Sequence, residues 1–201
     1  MTLRTCRKLR TPLNFLPVSI LLALAAAASG QAPHEIGITL DPATTAIHWT
    51  LVTNTHTVHG TFKLKSAAIA LDTETGAATG LVAIDATSGE SGSAGRDARM
   101  HKEILESGKY PTIAFKPTHV EGKFDPANTR SVTIDGTVTL HGQDHPLQLA
   151  IDLQPKGTSI GLTTHFAVPF VEWGLKDPST FVFRTEKQVA LEIQGTATIK
   201  P

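Results

Sequence analysis

One short helical segment stands among strand-like segments in this sequence, and it limits the folds that the chain can adopt. Residues 96–115 read RDARMHKEILESGKYPTIAF. Met100, Ile104 and Leu105 form a narrow apolar stripe at helical spacing, and Asp97 suits the first turn of a helix. A lone helix between strands, followed at once by a proline and a new strand, predicts a sheet that closes around a space with the helix over one opening.

The chain after residue 45 alternates apolar and polar residues along roughly eight predicted strands. Such alternation is typical of antiparallel sheet with one solvated face. A sandwich and a barrel both fit it, and long strands with hairpin-length links favour an all-β, eight-stranded antiparallel barrel with room for one ligand. A change of apolar parity within 58–71 predicts a bulge. The Ser/Gly-rich composition of 88–95 predicts a flexible loop. Nine segments carry this strand pattern, of which 180–184 is short: 46–53, 58–71, 80–87, 113–121, 130–141, 146–153, 159–170, 180–184 and 188–200.

The first thirty residues have the pattern of a leader and are set apart from the fold. Four basic residues precede an apolar run over 13–28, which is typical of a secretory signal peptide. The alternative is a membrane-spanning helix, but this run is shorter than the roughly 20 residues that span a bilayer. We predict a signal peptide over 1–30, cleaved after Ala28 or Gly30, and one domain over 31–201.

The composition argues against several classes of protein. The single cysteine, Cys6, lies in the leader, so the predicted mature chain has no disulfide and no thiol chemistry. The whole chain has 18 basic and 18 acidic residues, and loss of the four basic leader residues leaves a net charge of about −4. Because no cluster of lysine and arginine follows the leader, we expect no nucleic-acid partner.

The apolar faces of the predicted strands are the candidate ligand-binding site. Burial of a ligand's apolar surface against them would be worth about 25 cal/mol per Å². The alternative is that these side chains fill the barrel as an ordinary core, since both arrangements give the same alternation. The candidate residues are Trp49, Phe62, Leu64, Val82, Ile84, Phe115, Val138, Leu140, Leu149, Phe166, Phe170 and Trp173.

Histidines offer a different kind of site. His56 and His59 are three residues apart, and His141 and His145 flank a Gly-Gln-Asp turn that could place them side by side. Imidazole is a common metal ligand. Side chains three apart on a strand point to opposite faces, however, and no cysteine or tight carboxylate cluster completes either pair. We expect no metal site and no cofactor, and keep a metal-binding or hydrolytic protein that uses rim histidines as an alternative.

Three further residues belong to the rim of the expected barrel. Arg96 and Asp97 precede the helix, and His101 lies within it. Arg96 could hold a polar headgroup, since guanidinium forms bidentate bonds with phosphate. The other interpretation is that Arg96 and Asp97 fix a loop to the barrel wall.

Catalytic patterns are incomplete. Residues 89–93 read GESGS, which lacks the last glycine of a G-x-S-x-G nucleophile elbow and lies in a Ser/Gly-rich loop. No phosphate-binding glycine loop or zinc-protease helix is present in the sequence. We therefore assign no catalytic residue and expect that the protein is not an enzyme.

Several short motifs, in order and spacing, resemble the YceI-like family of bacterial periplasmic proteins. The matching segments are 56–62 (HTVHGTF), 86–88 (ATS), 96–97 (RD), 109–115 (KYPTIAF), 136–142 (GTVTLHG) and 173–175 (WGL). Two places differ from the commoner family pattern. Residues 99–100 and 104–105 replace a His-Leu and an aromatic pair in the helix, and Glu172-Trp173-Gly174 replaces Asp-Phe-Gly.

The resemblance implies an extended, lipocalin-like barrel that holds a long isoprenoid chain, either a polyprenyl lipid or a quinone tail, for storage or transport in the periplasm. It also implies a non-enzymatic protein. A transient membrane contact for lipid loading is a further expectation. The two differences from the commoner family pattern lie where one end of a ligand would be held. A ligand-free barrel with a structural or stress-response role is the third alternative.

Overall fold

The strands of residues 34–200, which are the residues that the computed structural model describes, form one closed antiparallel sheet. A short helix, α1 (Ala94–Arg99), interrupts their order and continues as a π-helical turn over Met100–Ile104. The strands are β1 (Glu35–Leu40), β2 (Ala46–Val52), β3 (Thr57–Asp72), β4 (Ala78–Glu90), β5 (Thr112–Glu121), β6 (Ser131–Leu140), β7 (Gln143–Lys156), β8 (Ser159–Val168) and β9 (Val189–Lys200).

The sheet closes as a barrel because its two ends pair with each other. From β3 to β9, each strand pairs with the next, and β9 returns to β1 and β2. β1 pairs with the last part of β3, whereas β2 pairs with its first part. β1 and β2 therefore share one position, and nine strands occupy eight positions around the barrel. The predicted eight-stranded barrel with one short helix is confirmed.

A short 3₁₀ turn over Pro42–Thr44 separates β1 from β2. The carboxylate of Asp41 accepts a hydrogen bond of 2.8 Å from the Ala43 N–H, as an N-cap does. Pro42 suits the first position of such a turn because its φ angle is fixed. β1 was not among the predicted strands, although Ile36, Ile38 and Leu40 alternate with polar or small residues.

The predicted bulge is present in β3. Leu64 pairs with Ile84, but the next pair is Ser66 with Ala83, so Lys65 is the extra residue. An extra residue reverses which face the following side chains occupy. This explains why the inward residues are even-numbered before the bulge and odd-numbered after it.

Two local predictions need correction. The flexible loop predicted over 88–95 is shorter than expected, because β4 continues to Glu90, which pairs with Thr61, and α1 begins at Ala94, so only 91–93 are irregular. The strand predicted over 180–184 is an irregular turn, and only Thr185 after it forms an isolated bridge, with Thr53. The aromatic and β-branched residues of 180–184 have high strand propensity, but the turn hydrogen bonds described below decide their conformation.

The two ends of the barrel differ. The helix end carries α1, the β2–β3 and β6–β7 turns and the long segment 169–188. The opposite end, here called the closed end, carries the β3–β4, β5–β6 and β7–β8 connections. Within residues 34–200 no helix is both long and apolar enough to cross a membrane.

Candidate ligand-binding cavity

The barrel encloses an apolar cavity of about 430 Å³, which all nine strands help to line. This volume lies in the range of small-molecule sites, roughly 300–1,000 Å³. Eleven of the twelve predicted residues line it: Trp49, Phe62, Val82, Ile84, Phe115, Val138, Leu140, Leu149, Phe166, Phe170 and Trp173. The apolar face found by alternation is therefore the lumen of the barrel, and part of that lumen is hollow.

Leu64 is the exception, because it does not line the cavity. It is buried in a cluster with Ile47 and Ala67, where Phe62 and Val82 pack against it. Its position next to the β3 bulge places it within this packed part of the wall, outside the lining of the cavity.

Apolar side chains fill the closed end of the barrel. Leu71, Ala78 and Val120 are buried together, and Phe124 from the β5–β6 connection packs against them. The cavity reaches this cluster, since all four residues line it. A ligand that enters from the helix end would therefore meet only hydrocarbon at the bottom of the barrel.

Polar lining residues concentrate at the helix end. Thr53, His56, Arg96, Arg99 and Thr185 line the cavity there, on the β2–β3 turn, on α1 and in segment 169–188. Deeper in the barrel the lining includes one further polar residue, Thr164, whose hydroxyl donates to the Ala150 carbonyl at 2.8 Å. The five residues at the helix end form what we call the mouth. The cavity thus has a polar mouth and a hydrocarbon interior, which matches an amphipathic ligand.

Arg96 and Asp97 fix the start of α1 to the end of β4. The Arg96 Nε donates to the Ser91 hydroxyl at 2.7 Å, and its Nη2 donates to the Ser91 carbonyl at 2.8 Å. The Ser91 hydroxyl in turn donates to the Asp97 carboxylate. Because these bonds join both side chains to Ser91, the arrangement favours the interpretation that the pair locks a loop over that of a headgroup site.

His101 has a similar structural position. Its Nε2 lies 2.8 Å from the Gly89 carbonyl and its Nδ1 lies 3.0 Å from the Ser107 hydroxyl. A carbonyl only accepts, so Nε2 carries a proton. Both ring nitrogens are thus engaged within the protein, and they hold the helical segment against β4. His101 does not line the cavity.

The helical segment is also tethered to segment 169–188. Lys176 Nζ lies 2.7 Å from Glu103 Oε2, and Arg99 Nε lies 3.5 Å from the same oxygen. The hydrogen bond from Lys176 lowers the pKa of Glu103 below its ordinary value of 4.5. A carboxyl with a lowered pKa in the folded state stabilises the fold above its unfolded pKa, and this contribution is lost as the pH falls through the folded value.

We expect the tether to be measurable by titration of Glu103. In a Lys176→Met variant, the NMR midpoint of the Glu103 carboxyl should rise towards its ordinary value, because the donor is lost. Lys187→Met is the matched control, since Lys187 lies 3.6 Å from Asp177 and contacts a different acid. Equal Glu103 midpoints in the wild type and Lys176→Met would show that this tether does not exist in solution.

The histidines do not assemble as the metal-binding alternative requires. His56 lies at the mouth with its ring 5.7 Å from that of Phe183, whereas His59 is exposed and hydrogen-bonds Thr50 at 3.0 Å. Residues 34–200 hold no group of three or more His, Cys, Asp or Glu side chains that could bind a metal ion.

The rings of the second histidine pair contact different aromatic partners. His141 stands with Gly142 in a two-residue turn, both with positive φ, 53° and 75°, as type I′ hairpin turns require. Its ring packs against Tyr110, at 4.5 Å between centroids. His145 instead stacks on Trp173, with centroids 4.4 Å apart and rings nearly parallel.

Sequence reasoning missed several cavity residues. Leu71, Leu153 and Ile160 continue the inward alternation of their strands, so that signal could have found them. Phe183 and Pro178 also line the cavity, but they lie in the irregular segment 169–188. No periodic pattern marks residues whose position depends on hydrogen bonds to another part of the chain.

Fold and cavity together define a class of protein: a closed antiparallel β-barrel with an apolar lumen and one polar mouth, as in lipocalin-like binding proteins. The family comparison is more specific, since the YceI-like domain matches residues 38–197. The chain belongs to this family. No curated protein compared with the chain matches it.

Solved structures with the same fold include three bacterial proteins. BcnA of Burkholderia cenocepacia has 16% identity and a TM-score of 0.65, covering 79% of this chain and 99% of that one. A polyisoprenoid-binding domain from Saccharophagus degradans has 16% identity and a TM-score of 0.58, covering 80% and 97%. The YceI protein of Campylobacter jejuni has 20% identity and a TM-score of 0.58, covering 72% and 86%. At these identities the likeness shows the fold alone.

Proposed function

We propose that this protein binds a long-chain isoprenoid lipid, a polyprenyl lipid or an isoprenoid quinone, and shields its tail from water for storage or transport. The observation that carries the proposal is the shape of the cavity. Hydrocarbon side chains line it from the mouth to the cluster at the closed end, and its polar lining is concentrated at the mouth.

The choice of an isoprenoid over other apolar ligands is supported by the family. The Saccharophagus degradans domain with this fold is described as polyisoprenoid-binding. A branched hydrocarbon chain forms no hydrogen bonds, so it is held by the removal of its surface from water, worth about 25 cal/mol per Å². A lumen lined by leucine, isoleucine, valine and phenylalanine suits such a chain.

The ligand's polar end is placed at the mouth in this proposal. The rim residues predicted from the sequence are Arg96, Asp97 and His101, but their hydrogen bonds to Ser91, Gly89 and Ser107 engage them within the protein. Arg99 and His56 fit better. Arg99 lines the mouth with only long contacts, 3.4 Å to the Pro178 carbonyl and 3.5 Å to Glu103.

Export to the periplasm is part of the proposal. The leader predicted over 1–30 lies outside the residues that the structure describes, so its support is the sequence pattern and the family. The proposed role is that of a binding protein without catalysis. The net charge of about −4 expected after processing gives no basis for a nucleic-acid partner.

A bound lipid should accompany the protein through purification. We expect native mass spectrometry of the full chain, expressed with its own leader in a bacterial host, to show a discrete adduct. Organic extraction should then release a polyprenyl lipid or quinone. The reason is that hydrocarbon buried along the lumen dissociates slowly into water. A bare polypeptide mass in every preparation, with no isoprenoid in the extract, would contradict the proposal, and a metal-sized increment would favour the metal-binding alternative instead.

A further inference from the structure

Two large apolar side chains project into solvent beside the mouth. Phe181 is 93% exposed and Val182 is 77% exposed, while the other exposed large apolar residues of 34–200, Val52 and Leu81, are each 40% exposed. Both belong to the turn 180–183 within segment 169–188. Central turn positions usually hold Gly, Asn, Asp, Ser or Pro. A phenylalanine and a valine at these positions expose apolar surface to water, which is unfavourable. No contact within residues 34–200 buries most of that surface.

The turn that carries them is held firmly. The Thr180 N–H donates to the Phe183 carbonyl at 2.6 Å, and the Phe183 N–H donates to the Thr180 hydroxyl at 3.0 Å. Asn54 of the β2–β3 turn bonds both sides of it, since its Nδ2 donates to the Val182 carbonyl at 3.0 Å and its Oδ1 accepts from the Arg184 N–H at 3.1 Å. The exposure of Phe181 and Val182 therefore belongs to an ordered, braced turn.

This turn adjoins the cavity. Phe183, the next residue, lines the cavity, and so does Pro178 on the other side of the turn. Val52, one of the two other exposed apolar residues, lies on the adjacent end of β2, where its carbonyl accepts a 2.9 Å hydrogen bond from the Glu186 N–H. Leu81, in contrast, lies near the closed end of β4. Three of the four exposed apolar residues thus gather at the opening through which a ligand would pass.

We propose that Phe181 and Val182, here called the tip, insert into the surface of a lipid bilayer and place the mouth of the barrel against it. The inference rests on the proposed function, since it names the surface from which the isoprenoid is loaded or to which it is delivered. With the tip inserted, Phe183 and the apolar lumen beyond it continue the hydrocarbon of the membrane. A tail could then move between bilayer and barrel with little exposure to water.

A membrane fits the tip better than a protein partner does. Two side chains on a protruding turn offer a small convex area, whereas stable protein interfaces bury about 800 Å² on each partner. Insertion among lipid chains needs no complementary groove. An exposed cation three residues from Phe181, Arg184, also suits a membrane surface, since its side chain can reach the headgroups while the aromatic ring enters the bilayer.

The test is vesicle binding by the purified full chain. Flotation with vesicles of phosphatidylethanolamine and phosphatidylglycerol should recover the wild type. The vesicle partition coefficient of the double variant Phe181→Ser, Val182→Ser should be lower by a factor of roughly ten or more. The reason is that each inserted apolar side chain contributes a large share of the affinity. Leu81→Ser is the matched control, as it removes an exposed leucine at the other end and should bind like the wild type. Equal binding by the double variant and the wild type would overturn the proposal.

A second readout separates this inference from the proposed function. The double variant should keep the isoprenoid with which it is purified, because the tip lies outside the lumen, but should exchange it with vesicles at least about tenfold more slowly. If wild type and variant both lack lipid while only the wild type binds vesicles, membrane insertion of the tip is supported and the proposed function is contradicted. If both hold lipid and bind vesicles equally, only the insertion of the tip is contradicted. If the wild type self-associates through the tip and does not float with vesicles, the membrane proposal is overturned in favour of a protein interface.

Discussion

A Phe166→Asp variant should be purified without its lipid. Phe166 lines the cavity on β8, opposite Leu191 on β9, and packs with the cluster around Leu140 and Val168. A carboxylate at this point would lie against the hydrocarbon chain of a ligand and lose its hydration when the chain binds. Burial of an unpaired charge costs several kcal/mol, so we expect at least a hundredfold loss of affinity. Lipid per protein, by extraction and mass spectrometry, measures it.

Ala167→Asp is the matched control. Ala167 is the next residue on β8 and is exposed, so it faces away from the lumen. The same charge at this position should leave the lipid load unchanged. Far-UV circular dichroism of both variants separates loss of binding from loss of fold. Should Phe166→Asp not fold, Leu162→Asp tests the same lumen four residues deeper on β8. A folded variant that retains a full lipid load would contradict binding in this cavity.

The barrel could be predicted from the sequence because alternation records which side chains face inward. Clean alternation in β6 predicted antiparallel sheet with one inward face, and the parity change in β3 predicted the bulge. Long strands with hairpin-length links favoured the barrel over a sandwich. Alternation cannot tell whether inward residues enclose space or fill it, since both need apolar side chains. Leu64 shows this limit, because it has the inward parity but packs in the wall with Ile47 and Ala67.

Rim contacts could not be predicted, because they join residues that no local pattern relates. His101 reaches the Gly89 carbonyl, twelve residues earlier, only because α1 folds back on β4. The Phe-Val-Phe sequence over 181–183 has strand propensity, yet Asn54 holds it as a turn from 128 residues away in sequence. Tertiary hydrogen bonds decided both positions, and propensity did not.

A Gly60→Ala variant should be strongly destabilised. A Cβ atom at Gly60 would lie 2.2 Å from the Glu90 carbonyl oxygen and 2.2 Å from Cζ2 of Trp49, and the carbonyl belongs to backbone that cannot easily move. Trp49 and Gly60 are paired across β2 and β3, so the indole lies over the glycine. Overpacking of this kind costs roughly 3 kcal/mol or more. For a domain of this size, the melting temperature should fall by roughly 6–12 °C.

Gly161→Ala is the control within the same barrel. Its added Cβ would meet Gln154 at 3.6 Å, an ordinary contact, so its melting temperature should remain near that of the wild type. Equal melting temperatures for Gly60→Ala and the wild type would show that the indole can move away at little cost. Gly136 repeats the arrangement, since a Cβ there would lie 2.5 Å from Cζ of Phe115. Trp49 and Phe115 both line the cavity, and each glycine lets a large ring approach the barrel wall more closely than a Cβ atom would allow.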